Sequence, residues 1–325
     1  MNKLKNIICM VVFITCTLTL TSCGLISFIS PSKSPADPIV PVESNAQKSA
    51  AAITLYFKFA DQELLAGQAY DLDIPVGKRV EEVVVSELIK GPSAQAVDLS
   101  FCINPNTEVL AVSSSADTIF ITLSEDFIRP YNVSGDVADN ADMQEQAAMN
   151  QRLAVYSIAD TITEMGEYSR VQLLVENDGT RGRITRGQAG FTDNPDQLLE
   201  PLTRNTDVLL TPNKSVELLL KALGKKDWQQ MYTLIASQDI AGETKPSFTD
   251  VQSEMTDFSG NLEDYAIKGY NISADGRVVL ISVDCEIRMK SGQIISVRDV
   301  PLRLVMDNGT WKVMYSSLKT MIAER

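Results

Sequence analysis

Ala52-Ile53-Thr54-Leu55-Tyr56-Phe57-Lys58-Phe59 decides the fold. Ile53, Leu55, Phe57 and Phe59 alternate with Thr54, Tyr56 and Lys58. A period of two with one strongly apolar face predicts a half-buried strand. A second extended piece follows at 64–74, across Gly67. The period then changes. Val80, Val83, Val84 and Leu88 mark one face of a helix, and Glu81, Glu82, Glu87 and Lys90 mark a solvated one. Gly91-Pro92 stops that helix, because glycine takes the left-handed cap conformation and proline cannot continue the ladder.

Further along, 108–113 and 118–123 read as two short strands with a turn at 114–117. An acidic stretch without periodicity, 129–142, is expected to be a loop. Its charge makes it a candidate surface for selecting a basic partner. A helix over 145–165 carries Leu153, Val155, Ile158, Ala159 and Ile162, and Gly166 ends it. Within it, Thr161 and Thr163 read as surface or back-bonding hydroxyls rather than catalytic ones. Val171, Leu173 and Val175 define a strand, and the polar, basic, glycine-rich 180–191 closes the unit as a strand or loop.

Leu55-Tyr56-Phe57, Glu87-Leu88-Ile89-Lys90-Gly91-Pro92-Ser93, Thr161-Ile162-Thr163-Glu164 and Val171-Gln172-Leu173-Leu174-Val175 occur in this order over 52–190. Together they resemble the GerMN domain of spore-germination and sporulation proteins. The resemblance implies a small α+β unit with helices on one side of a short sheet, similar to ring-building motifs of secretion machines. It also implies a ring or homo-oligomer formed through this unit.

Residues 193–210, with Pro195 and Pro201, read as a linker. Thr211-Pro212 then starts a helix, threonine as N-cap and proline at its first position. Asp227 caps a second helix, and 248–258 holds a third. From Tyr265 the period is two. Val279, Ile281, Val283, Cys285 and Ile287 face one way, while Asp284 and Glu286 are expected on a solvated face. Asp275-Gly276, Ser291-Gly292 and Asn308-Gly309 separate the strands, and Trp311 to Tyr315 forms the last one. Helices followed by an antiparallel meander give an α+β architecture. This half, 211–325, resembles the nuclear-transport-factor-like cone fold.

Upstream of all this, Lys3 and Lys5 precede an apolar run over 7–20 that ends at Leu20-Thr21-Ser22-Cys23. A charged front and a short apolar core mark an export leader, too short for a membrane span of roughly 20 residues. Leu20-Thr21-Ser22-Cys23 resembles the bacterial lipobox. That likeness implies lipid attachment at Cys23, diacylglycerol with palmitate-type acylation, on the extracytoplasmic face of the cell membrane. The expected layout is therefore a signal peptide over 1–22, an anchor and proline-rich tether over 23–51, a GerMN-like domain over 52–192, the linker over 193–210 and the cone domain over 211–325. The fold class is α+β, as two small domains behind the tether.

Composition narrows function. The hydrophobic share of 44% and charged share of 22% are globular values. A net charge of −13 argues against nucleic acid and against a basic grip on anionic lipid. The chain has no histidine, which removes histidine-based triads and histidine metal sites. Cys102 and Cys285 fall in different predicted units, so a disulfide between them is not expected. No cofactor, metal site or catalytic residue is expected. The reading is a non-catalytic envelope lipoprotein, not an enzyme, acting in assembly or as a scaffold in sporulation or spore germination. Its partners would be the membrane through Cys23 and envelope proteins or cell wall. Two alternatives stand beside it: a ligand-binding module with a pocket in the cone, and a carboxylate-based cell-wall hydrolase, for which no acid pair stands out.

Overall fold

The first unit begins with β1 (Ser49–Phe59); Leu55, Phe57 and Phe59 are buried as expected, but Tyr56 and Lys58 on the other phase are buried too, so the strand is covered on both faces from 55 to 59 rather than half-buried. The computed structural model describes residues 49–131, 140–257 and 260–323. The leader, Cys23, the tether up to residue 48 and residues 132–139 of the acidic stretch lie outside them. β2 (Leu65–Ile74) runs antiparallel to β1, in a register from Ser49↔Ile74 to Lys58↔Leu65. On the other edge β3 (Leu99–Ser100) pairs only with Lys58 and Phe59.

α1 (Val80–Lys90) stops at Gly91, whose φ of 88° is open to glycine at little cost. Its buried face is Val84, Val85, Leu88 and Ile89, together with Glu81. Glu81 is thus not on the solvated face where the sequence put it. Arg79 at the helix entry reaches it, Nε to Oε2 at 3.2 Å, so the buried carboxylate keeps a charged partner.

A second sheet has the order β4-β5-β6-β7, from β4 (Val109–Ser115), β5 (Thr118–Ser124), β6 (Arg170–Asn177) and β7 (Thr180–Arg183). β4 and β5 form a hairpin, and β5 and β6 are parallel. A parallel pair needs a crossover. α2 (Ala141–Glu164) supplies it and packs against β1 and β6. The helix begins at 141, not 145. Residues 141–148 carry no apolar stripe, which hid the first turns. They are rich in Ala, Gln, Glu and Met, which favour helix without one. The Asn140 side chain accepts from the N–H groups of Asp142 and Met143, fixing the start.

The C-terminal unit follows its expected order. Thr211 caps α3 (Pro212–Lys225), and Asp227 caps α4 (Trp228–Thr233). α5 (Phe248–Asp257) comes next. β8 (Gly260–Ile272), β9 (Val278–Met289), β10 (Ile294–Asp307) and β11 (Thr310–Val313) make an antiparallel meander in the order β11-β10-β9-β8. Val279, Ile281, Val283, Cys285, Val300, Leu302 and Leu304 are buried, and α3 lies over β8, β9 and β11. Two readings are corrected here. Asp284 is buried, held by Lys268 at 2.9 Å and Arg298 at 3.1 Å. After β11 the chain turns into α6 (Tyr315–Ala323), where the sequence reading continued the strand to Tyr315. Leu318, Met321 and Ile322, three and four apart, are the buried stripe of that helix.

Residues 193–210 are pinned along their length. Leu202 bridges to Val171, Leu198 to Thr185 and Leu209 to Leu65. Leu199, Leu202, Leu209 and Leu210 are buried. The Leu210 N–H donates to the Leu65 carbonyl at 2.7 Å. The β10–β11 turn, Asn308-Gly309, lies against β2: a Cβ added at Gly309 would stand 2.1 Å from the Gly67 carbonyl oxygen. One continuous apolar core runs from Leu55 to Ile322 through both halves.

Candidate functional site

The polar residues of α2 do not all face water. Ser157, Asp160 and Thr161 are buried among Leu153, Val155, Ile158 and Ile162. Their partner is β1. β3 is too short to cover Tyr56, whose backbone is instead clamped by α2: Ser157 Oγ donates to its carbonyl at 2.6 Å, and Thr161 Oγ1 accepts from its N–H at 3.1 Å. The expectation of a surface hydroxyl therefore fails for Thr161. It holds for Thr163, which donates back to the Ala159 carbonyl at 2.7 Å.

Asp160 is fully buried. Oδ1 accepts the Asn205 N–H at 2.7 Å, while Oδ2 has no partner among the described residues. Burial pushes its carboxyl up to about 7. The Asn205 N–H and the charge of Arg204 oppose that rise, and Glu164 adds to it. One turn on, Glu164 accepts from the Tyr56 hydroxyl and from Arg204 at 3.0 Å. Burial, then the Glu164 carboxylate, raise the Tyr56 phenol above its ordinary range. A cavity of about 340 Å³ opens beside this network, lined by Ile53, Thr54, Val80, Thr161, Glu164 and Met165. The network ties β1, α2 and the 203–206 strand of chain together. A carboxyl closed to solvent in this way can store a proton near neutrality.

The second polar centre lies where the halves meet. Lys312 on β11 donates to Asp98, which precedes β3, and stands 3.9 Å from Asp307. All three are largely buried, the lysine at 6% side-chain exposure. Asp307 also accepts from the Ser237 N–H at 2.7 Å. Around them is a cleft of about 330 Å³ shared by the 95–99 loop, α4, Lys245 and the β10–β11 turn. Sequence reading singled out none of Asp160, Arg204, Lys245 and Lys312. For Asp160 a signal existed: a charged residue at an apolar phase of a helix. For the others the residue's partner is remote in sequence, and no local pattern marks it.

Cys23, the predicted lipid-attachment residue, lies outside the described residues. Cys102 and Cys285 are free and buried. Among the described residues no group of His, Cys, Asp and Glu is arranged to hold a metal, and no helix is long and apolar enough to cross a membrane.

Solved structures similar in fold include the following three. Tandem GerMN domains of the sporulation protein GerM from Bacillus subtilis align at 16% identity and a TM-score of 0.33, over 50% of this chain and 48% of theirs. The chain thus spans about half the length of that structure. A putative lipoprotein from Clostridium perfringens aligns at 17% identity and a TM-score of 0.27, over 49% of this chain and 90% of that one. An NTF2-like protein from Cytophaga hutchinsonii aligns at 22% identity and a TM-score of 0.24, over 31% of this chain and 88% of that one. Likeness at this level bears on no functional point. No curated protein matches the chain. The sequence match is to a family model and spans β1 through the β6–β7 turn: residues 54–179 match the Germane family, described as "Sporulation and spore germination".

Proposed function

We propose that this chain is a non-catalytic lipoprotein of the cell envelope that acts in assembly during sporulation or spore germination. The observation that carries the reading is the match of residues 54–179 to the Germane family. The lipobox-like Leu20-Thr21-Ser22-Cys23 supports an anchor on the extracytoplasmic face. Two features favour a scaffold over a catalyst or a cone receptor. The inward residues of β9 and β10 are buried, with α3 packed on β8, β9 and β11 and α6 on β10, and the carboxyl with the most displaced acidity, Asp160, is buried between α2 and Asn205. A filled, doubly joined body presents outer surfaces to neighbours, either copies of itself in a ring or other envelope proteins.

Replacing Cys23 by Ala is expected to move the protein from the membrane fraction to the soluble one, because a single lipid-bearing residue is the whole anchor in this reading. Retention in membranes after a high-salt wash would remove the anchor from the proposal. The process is tested separately. A strain lacking the gene should yield fewer heat-resistant or germination-competent spores, and crosslinking should recover envelope partners from sporulating cells. Wild-type spore yield and germination in the deletion strain would sink the assignment.

A further inference from the structure

We propose that the free edge of β8 is a contact between two copies of this chain, which meet antiparallel about Asn271. β8 ends the meander, and among the described residues only β9 pairs with it. Its last residues leave the core face uncovered. Tyr270 stands opposite Ile281, and Ile272 opposite Val279, so all four side chains share one face of the sheet. Ile281 and Val279 are fully buried, yet Tyr270 is 54% exposed and Ile272 56%. The backbone is open at the same two residues. The Ser273 N–H donates to the Val278 carbonyl at 2.9 Å, and bonded pairs alternate with unbonded ones along an antiparallel ladder. Ile272 and Tyr270 therefore turn their N–H and C=O groups away from β9.

The usual guards of a sheet edge are missing here. Gly269-Tyr270-Asn271-Ile272-Ser273-Ala274 holds no proline and no charge. Lys268, just before it, is drawn onto the opposite face, 2.9 Å from both Asp284 and Asp299. Charge and symmetry name the occupant. The chain carries a net −13, so two copies repel wherever acidic surfaces meet, and a contact between them needs an uncharged strip. An antiparallel pair centred on Asn271 sets Tyr270 of each copy opposite Ile272 of the other. Their outward N–H and C=O groups then exchange backbone hydrogen bonds on both sides of the axis. The two Asn271 side chains meet on the other face, where each amide both donates and accepts. The meanders join into one sheet about a twofold axis, an isologous contact that stops at two copies. The exposed parts of Tyr270 and Ile272 bury far less than the roughly 1,200 Å² of a stable interface, so the pairing is weak and concentration-dependent. It lies outside residues 54–179 and rests on no role in sporulation.

Disulfide trapping reads a weak contact, and the site suits it. Asn271 is exposed and meets its own copy at a Cα separation of about 4.5 Å, within the span that a disulfide bridges. Cys102 and Cys285 are buried and stay silent. The detergent-solubilised full chain carrying Asn271→Cys is oxidised with copper phenanthroline, with the unaltered chain as blank. Asn261→Cys at the far end of β8 and Ser113→Cys on the β4 edge, both at exposed positions, are the controls in the same micelles. Asn271→Cys is expected to form covalent dimer at least tenfold faster than either control. Adding Ile272→Lys, which puts charge into the strip at an exposed position, should remove that advantage while thermal melting is retained. Equal rates for Asn271→Cys and the controls overturn the proposal. So does an undiminished rate in the folded double variant. If the double variant does not fold, sedimentation of the unaltered chain in density-matched detergent decides. A monomer at the crosslinking concentration overturns the proposal, and a mass that rises with concentration to that of a dimer supports it.

Discussion

Gly309→Ala is expected to loosen the two halves from each other, with a loss of about 3 kcal/mol. The glycine sits at φ 85°, and an added Cβ would stand 2.1 Å from the Gly67 carbonyl oxygen and 2.9 Å from the Gln68 Cα. Those neighbours are backbone of β2, so they cannot rotate away as a side chain would. The turn must lift instead, straining the Lys312–Asp98 pair and the Leu65–Leu209 bridge nearby. Gly276→Ala is the control. Its φ is 69°, and nothing lies within 4 Å of its added Cβ. It should lose only the conformational penalty, about 1 kcal/mol. Calorimetric melting of both variants measures the difference. Equal losses would mean that the contact with β2 contributes nothing to the joint.

The second large effect is a pH dependence set by Asp160. Its carboxyl has an ordinary value of 3.8 and rises to about 7 in the folded chain. The folded state therefore holds a proton that the unfolded state has released between these values. Stability from this residue is complete below about pH 4, declines as pH rises towards 7, and is level above. A displacement of about three pKa units corresponds to about 4 kcal/mol. Asp117 and Asp284 act oppositely. Arg170 beside Asp117, and the Asp299 N–H with Lys268 beside Asp284, hold both carboxyls down to about 2, so their stabilisation is lost as pH falls below about 4. Maximal stability is expected near pH 4–5. In Asp160→Asn the decline from pH 5 to 8 should vanish, since the amide oxygen still accepts the Asn205 N–H. Melting curves across that range test this. An unchanged slope in the variant would place the proton elsewhere.

Where a residue's own neighbours in sequence dictate its environment, the chain was legible. The strand β1 and its apolar phase, the Gly91-Pro92 stop, the Thr211-Pro212 start and the glycine turns of the meander all rest on local rules of period, cap and positive φ. Asn308 at φ 49° followed by Gly309 at φ 85° is the paired left-handed turn that its sequence announces. Illegible were the places where a remote element rewrites a residue's surroundings. Glu81 and Asp284 fall on polar phases of their elements, yet Arg79, Lys268 and Arg298 let them be buried. Thr161 reads as a surface hydroxyl until β1 proves to lack a third strand at Tyr56. The stretch 193–210 looks like a linker because of its prolines and charges. Its four buried leucines, spread without helix or strand period, give no local sign of what they cover. Of the two polar centres, only Asp160 left a mark in the sequence.

The two buried thiols have a kinetic consequence. Burial pushes Cys102 up to about 12 and Cys285 up to about 11. Thiolate is the reactive form, so at neutral pH roughly one molecule in ten thousand or fewer carries it at either position. Neither sulfur takes part in exchange while the fold is closed, even in an oxidising compartment. Any alkylation must wait for an opening event that exposes the sulfur. Cys102 belongs to the first half and Cys285 to the second. The chain thus carries a separate chemical clock in each half. The ratio of the two labelling rates reports whether the halves breathe together or apart.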